Sequence, residues 1–137
     1  MSMLALTLIA PILIKTNSAG FAPLPYARSE KCEVFQTHVL MTRTYGLRSI
    51  EYNFPMKAGD VIHELVEEAS QEQFALEDNY MCDAPATTVK ARLQKDGVEK
   101  DILIYSTGGC GAPKKYRQGP ASYSLMDIAS TFCPKTH

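Results

Sequence analysis

The sequence contains no tryptophan, only three histidines, and 14 basic against 15 acidic residues, which leaves a formal net charge of −1. So little excess charge provides no electrostatic basis for binding nucleic acid or an anionic membrane surface. The four cysteines include no C-x-x-C pair, so a structural zinc site is not predicted. We therefore expect no metal, no cofactor and no nucleic-acid partner.

The chain has 137 residues, enough for one domain with its own hydrophobic core. Its one long apolar run covers residues 3–14, which is too short for a membrane span. Small and polar residues follow, as is typical of a secretory signal peptide. We predict a signal peptide or apolar N-terminal segment over residues 1–22 and a single domain over residues 23–137. The alternative is that the apolar run is a buried strand or short helix of the fold.

Two β-hairpins are predicted from alternating apolar and polar residues. The first has its turn at Tyr45-Gly46, which pairs Met41 with Ile50. The second turns at Asp96-Gly97, because both positions tolerate positive φ. It pairs Val89 with Ile104, Ala91 with Ile102, and Leu93 with Lys100.

Two helices are predicted from apolar residues at helical spacing. The first follows Asp60, its expected N-cap, and its apolar residues are Val61, Ile62, Leu65, Val66 and Ala69. The second has Ser124 and Asp127 as a capping box, followed by the apolar residues Leu125, Ile128, Ala129 and Phe132. The predicted fold is therefore α+β, an antiparallel sheet of two hairpins with two helices on one face, in the order ββαββα.

The four cysteines are interpreted as two disulfides, which are typical of an oxidising compartment. Extending the second hairpin brings Cys82 and Cys110 opposite each other if a one-residue bulge lies near the Gly-Gly pair before Cys110. By elimination, Cys32 pairs with Cys133. Free thiols are one alternative. Another is a thiol nucleophile at Cys110, although nothing in the sequence brings a histidine to it as a base.

The stretch GGCGAPKKYRQGPASYS is predicted to be a long loop before the second helix. This loop contains three cations, Lys114, Lys115 and Arg117, around one aromatic ring, Tyr116. Loops often carry binding residues, and such a cluster would suit a carboxylate, a phosphate or an acidic protein surface. The alternative is a solvated connection whose charges keep it soluble.

The stretch FALEDNYMCDAPATTVKARLQKDG resembles the centre of a bacterial family of exported domains of unknown function. The family shows F-x-L-x-D-x-Y, matched here by Phe74, Leu76, Asp78 and Tyr80. It then shows D-x-P-T and a strand with a Gly turn, matched by Asp83, Pro85 and Thr87, with Ala86 where the family tends to have Thr. The family's C-x-x-C-P-like start is absent. The resemblance covers residues 33–130 and implies export from a bacterial cell without implying an activity.

These observations predict a periplasmic or secreted, disulfide-stabilised domain that acts by binding and not by catalysis. An inhibitor or accessory protein fits this description, and its partner would be a protein or a small anionic ligand. One alternative is a small thiol-dependent enzyme centred on Cys110. The other is a structural subunit of a larger assembly, in which residues 1–22 are retained and packed.

Overall fold

The computed structural model describes residues 10–18, 28–78, 86–107 and 113–133. These ranges hold eight strands and two helices: β1 Leu13–Ser18, β2 Arg28–Val34, β3 His38–Tyr45, β4 Arg48–Pro55, α1 Gly59–Ala69, β5 Gln73–Glu77, β6 Ala86–Lys95, β7 Val98–Thr107, β8 Lys114–Gln118 and α2 Pro120–Phe132. The strands form one antiparallel sheet in the order β4-β3-β2-β1-β6-β7-β8-β5.

The antiparallel sheet and the two helices agree with the prediction, but the predicted order ββαββα is wrong because four strands were missed. Strands β1 and β2 precede the first predicted hairpin, and β5 and β8 flank the second. Strand β8 has the sequence KKYRQ, which lacks the alternation of apolar and polar residues that identifies a half-buried strand. Such strands form through pairing with their neighbours, which a local pattern does not report.

The hydrophobic core lies on one face of the sheet. The strand residues buried there are Leu13, Val34, Val39, Met41, Val89, Ala91, Ile102 and Ile104. Both helices contribute to the same cluster, through Ile62, Val66, Ala69, Leu125 and Ala129. Both helices therefore cover the same face, which we call the helix face.

Strand β1 lies at the centre of the sheet. Its fully buried residue Leu13 pairs with Val34 of β2 on one side and with Ala91 of β6 on the other. The sheet of this structure therefore includes residues upstream of residue 23. Signal-peptide cleavage stays a prediction, and a cut near Ala19 would remove this strand.

The first hairpin turns one residue later than predicted. Its turn is Gly46-Leu47, with Gly46 at φ 57°, and Met41 pairs with Tyr52 instead of Ile50. The reason is conformational, because glycine accepts positive φ at the first turn position more easily than Tyr45 would. The shift moves each partner by two residues, so every side chain keeps its predicted face.

The second hairpin confirms most of its predicted register. Asp96 and Gly97 both have positive φ, and Ala91 pairs with Ile102. The register shifts between Val89 and Lys90, so that Val89 pairs with Tyr105 and not with Ile104. This β-bulge lies inside the hairpin and turns Tyr105 toward the helix face.

The predicted disulfide between Cys32 and Cys133 is present, with the two Cα atoms 5.7 Å apart. It joins β2 to the C-terminal end of α2, and both residues are buried in the core. The predicted pairing of Cys82 with Cys110 lies outside the described residues. The bridge closes a sequence separation of 101 residues, so it strongly restricts the unfolded chain.

The helix caps differ from those predicted. Helix α1 has Ala58 at its N-cap, and Asp60 lies in the first turn, where its carboxylate accepts a hydrogen bond from the Gln36 amide at 2.9 Å. Helix α2 begins at Pro120, so Ser124 and Asp127 lie inside it. A distant residue, Glu72, caps α2 instead.

Candidate functional site

The predicted binding cluster lies on strand β8 and not in a loop. Successive strand residues point to opposite faces of a sheet. Lys114 and Tyr116 therefore share the helix face with Tyr105, which pairs with Tyr116. Lys115 lies on the opposite face and is exposed. The structure thus separates two adjacent lysines that the sequence grouped together.

A cleft of about 290 Å³ opens between α2 and the strands at this end of the sheet. It is lined by Glu77, Ile104, Tyr105, Lys114, Tyr116, Arg117, Tyr123 and Met126. Three of these are tyrosines and two are apolar, so the walls are mainly aromatic and apolar with a few polar groups. That composition is typical of small-molecule sites, and the volume is at their lower limit of about 300 Å³.

The Lys114 ammonium is held by two aromatic rings. Its Nζ lies 5.4 Å from the ring centroid of Tyr105 and 5.4 Å from that of Tyr116. Both distances fall within the range of a cation–π interaction. Lys114 forms no salt bridge within the described part of the chain. Its charge therefore enters the cleft without a salt bridge to a described carboxylate.

Arg117 supports the fold around the cleft. Its guanidinium donates hydrogen bonds to the backbone carbonyls of Leu103 and Glu72, each at 2.9 Å, and lies 4.2 Å from the ring centroid of Phe74. Burial lowers the pKa of this guanidinium, while the charge of Glu72 opposes that shift. Arg117 thus joins β7, β8 and the turn after α1, and most of its donors are used.

Glu72 caps the N-terminus of α2. Its carboxylate accepts hydrogen bonds from the Ala121 N–H at 3.1 Å, the Ser122 N–H at 2.8 Å and the Ser122 hydroxyl at 2.6 Å. Burial raises the pKa of Glu72, but these hydrogen bonds and the Arg117 charge outweigh it and hold the pKa below its ordinary value. A Cβ atom at Gly119 would collide with this carboxylate. The contact fixes α2 over the cleft.

The other candidates are weaker. A polar depression of about 330 Å³ on the face opposite the helices is lined mainly by hydroxyl groups. No group of three or more His, Cys, Asp or Glu side chains suited to a metal occurs among the described residues. His38 stacks on Phe35 with ring centroids 4.5 Å apart. Cys110, the alternative nucleophile, lies outside the described residues.

The sequence prediction named Lys114 and Tyr116, which line the cleft, but not most of the residues around them. Tyr105 was missed because the bulge that turns it inward has no local signature. Tyr123 and Met126 lie in the first half of α2, and their proximity to Lys114 depends on how α2 crosses the sheet. A prediction of strand β8 would have placed Lys114 beside Tyr116 on one face.

Comparison of the chain with protein-family models, with curated proteins and with solved structures gives no match. Phe74 and Leu76, from the stretch that resembles a bacterial exported family, lie exposed on β5. Tyr80, Asp83 and Pro85 lie outside the described residues. In the described ranges, neither helix has the length and apolar character needed to cross a bilayer.

Proposed function

We propose that the protein is an exported, disulfide-stabilised domain that binds a small anionic ligand in the cleft around Lys114. The observation that carries the proposal is the placement of this ammonium between Tyr105 and Tyr116. A preorganised cation in a partly desolvated cleft attracts a carboxylate or phosphate more strongly than a flexible surface lysine does. The proposed function is ligand binding without a catalytic step.

The walls of the cleft narrow the ligand class. Ile104 and Met126 offer apolar contacts, and Tyr123 offers an exposed ring. A ligand that joins one carboxylate to a ring or short apolar group would use both the charge and the walls. Inorganic phosphate would use the charge alone. We therefore favour a small aromatic carboxylate, with benzoate as the simplest probe.

The ligand proposal is tested by titrating the ¹⁵N-labelled protein with benzoate, benzamide and inorganic phosphate. Benzoate should shift the amide signals of β7, β8 and α2, while the uncharged benzamide should bind at least tenfold more weakly. Lys114→Met should abolish the benzoate shifts. Lys115→Met is the matched control, because it removes the same charge from the opposite face. Equal losses in both variants, or no shifts with benzoate, would refute the proposal.

The export proposal rests on the Cys32–Cys133 bridge, because disulfides persist in oxidising compartments. Since β1 lies at the centre of the sheet, any cut must fall upstream of Leu13 if the exported protein keeps this fold. Intact mass of the protein from periplasmic and medium fractions, with and without reduction before alkylation, tests this point. A reduced protein found only in the cytosol would contradict export.

The structural-subunit hypothesis is a second candidate, and the packing of Leu13–Ser18 between β2 and β6 favours it. Both the subunit hypothesis and the binding proposal require this segment. The two differ at the cleft, because a subunit needs no ligand there. Unchanged assembly with Lys114→Met, together with no binding of benzoate by the wild type, would favour the subunit.

A further inference from the structure

Strand β4 forms one edge of the sheet as far as the described residues extend, and it is exposed along its whole length. Its residues Ile50, Tyr52 and Phe54 are 45%, 39% and 44% exposed. The register pairs Phe54 with Val39 and Tyr52 with Met41, and both partners are buried in the core. The three side chains therefore extend the helix face beyond the helices.

One row of β4 backbone groups also has no strand partner among the described residues. The Met56 N–H bonds to the Thr37 carbonyl at 2.9 Å, and residues two apart in an antiparallel strand turn their backbone groups the same way. Phe54, Tyr52 and Ile50 therefore bond to β3. The backbone N–H and C=O groups that point to the open edge are those of Ser49, Glu51 and Asn53. By the same alternation, the backbone of Pro55 faces the open edge. Proline has no N–H, so it is tolerated at a position that forms no hydrogen bond with β3.

We propose that β4 pairs antiparallel with β4 of a second copy of this chain, about a two-fold axis at Tyr52. In this register Tyr52 faces its own copy, Ile50 faces Phe54, and Glu51 faces Asn53. Aromatic and aliphatic side chains then meet on the helix face, and no like charges oppose each other. An axis at Glu51 would instead place two carboxylates directly opposite. The pairing joins the two sheets into one and covers the exposed apolar side chains.

A single-stranded nucleic acid is the competing occupant, because arginines lie beside aromatic rings on this face. Two of them already have partners. Arg28 lies 5.7 Å from the ring centroid of Tyr45, and Arg43 lies 3.8 Å from the Glu30 carboxylate. A polyanion would also leave the backbone groups of β4 unpaired. The open edge therefore favours a second copy.

Cysteine crosslinking tests the register. Tyr52 and its copy form a non-hydrogen-bonded pair with Cα atoms about 4.5 Å apart, which is within disulfide range. Tyr52→Cys should crosslink to itself under mild oxidation. Ile50→Cys alone should not, because its copies lie about 13 Å apart along the strand. A mixture of Ile50→Cys and Phe54→Cys should crosslink, and mass spectrometry should locate each bond. Equal crosslinking at all positions would overturn the register.

Asn53→Pro tests the pairing without a new thiol. It removes an edge N–H that β3 does not use, so the thermal unfolding temperature should stay within a few degrees of the wild-type value. Light scattering should show a dimer for the wild type and for Asn53→Ala, and a monomer for Asn53→Pro. A wild type that is monomeric up to about 1 mM, or that binds a single-stranded oligonucleotide in place of self-association, would overturn the proposal.

Discussion

The two ends of the sheet carry similar side chains but differ in what covers them. At the β8 end, Lys114 contacts Tyr105 and Tyr116, and α2 forms the opposite wall of a cleft. At the β4 end, Arg43 lies 5.4 Å from the ring centroid of Tyr52. The Tyr52 ring is nearly parallel to that of Phe54, with the centroids 6.4 Å apart. No described helix covers this second group. The same kind of cation–aromatic cluster thus becomes a cleft at one end and an open platform at the other.

The length of α2 explains the difference. Its 13 residues measure about 20 Å, and β8 and β2 are four strand spacings apart, about 19 Å. Glu72 fixes its N-terminal end beside β8, and the disulfide fixes its C-terminal end to Cys32 of β2. The helix therefore stops before β3 and β4. Coverage by a helix, more than side-chain type, therefore distinguishes the cleft from the open edge.

Removing β1 should have the largest effect, because it connects the two ends. A chain that begins at residue 19 lacks the strand between β2 and β6 and exposes both of their edges. We expect loss of cooperative thermal unfolding, measured by circular dichroism. A chain that begins at Ala10 keeps all the described strands and serves as the control. A cooperative transition in the shorter chain would show that the two halves do not need β1.

Removing the disulfide should destabilise the protein by about 2–5 kcal/mol. The double variant Cys32→Ala and Cys133→Ala releases the C-terminal end of α2 from β2. Urea unfolding of the oxidised wild type and the variant measures the difference. The cleft lies at the opposite end of α2, so amide signals near Lys114 should change less than those near residue 32. Equal changes at both ends would contradict the separate anchoring of α2.

Replacing Glu72 should have an intermediate effect. Glu72→Ala leaves the first N–H groups of α2 and the Ser122 hydroxyl without their acceptor, at a cost of about 1–2 kcal/mol. Unlike the disulfide variant, it should perturb the cleft end first. The readout is urea unfolding combined with amide chemical shifts of β8. A stability loss below about 0.5 kcal/mol would show that water replaces the cap.

The Glu72 cap should also depend on pH. The pKa of Glu72 lies below its ordinary value of 4.5 in the folded protein, so the unfolded chain takes up the proton first. The stabilisation is complete above pH 4.5 and is lost as the pH falls through the folded pKa. Glu72→Gln lacks this contribution. The stability difference between wild type and Glu72→Gln should shrink on acidification, as urea unfolding over a pH series will measure. A stability difference that does not change with pH would show that ionisation of Glu72 is not its cause.

The smallest effect is expected at the cleft rim. Glu77 pairs with Lys114 across β5 and β8 and lines the cleft, so its carboxylate repels an anionic ligand. Glu77→Gln should tighten benzoate binding by about two- to fivefold, consistent with an exposed charge pair worth under 1 kcal/mol. Isothermal titration calorimetry at low and high salt measures this change. Weaker binding in the variant would assign Glu77 to ligand recognition instead.

Part of the fold could be predicted because its signals are local. The Asp96-Gly97 turn and the Ala91–Ile102 register follow from short patterns, as does the burial of Ile62, Val66, Leu125 and Ala129. Val61, in the same predicted helix pattern, is exposed. The Cys32–Cys133 pair followed from elimination, although its two cysteines are 101 residues apart. The missed strands β5 and β8 have only five residues each, and three of those in β8 are charged. The carboxylate that accepts hydrogen bonds from the start of α2 belongs to a residue about fifty positions away. Local patterns contain no information about such partners.

The sequence by itself determined the turn residues, the side-chain alternation and the apolar stripes, because each depends on the conformational preferences of neighbouring residues. Only the tertiary structure decided that Lys114 and Lys115 lie on opposite faces, that a bulge turns Tyr105 toward Lys114, and that α2 ends at β2. These outcomes depend on strand pairing and on helix length measured against the sheet. They bring residues together through packing across the whole domain, so the cleft and the open edge follow from the fold.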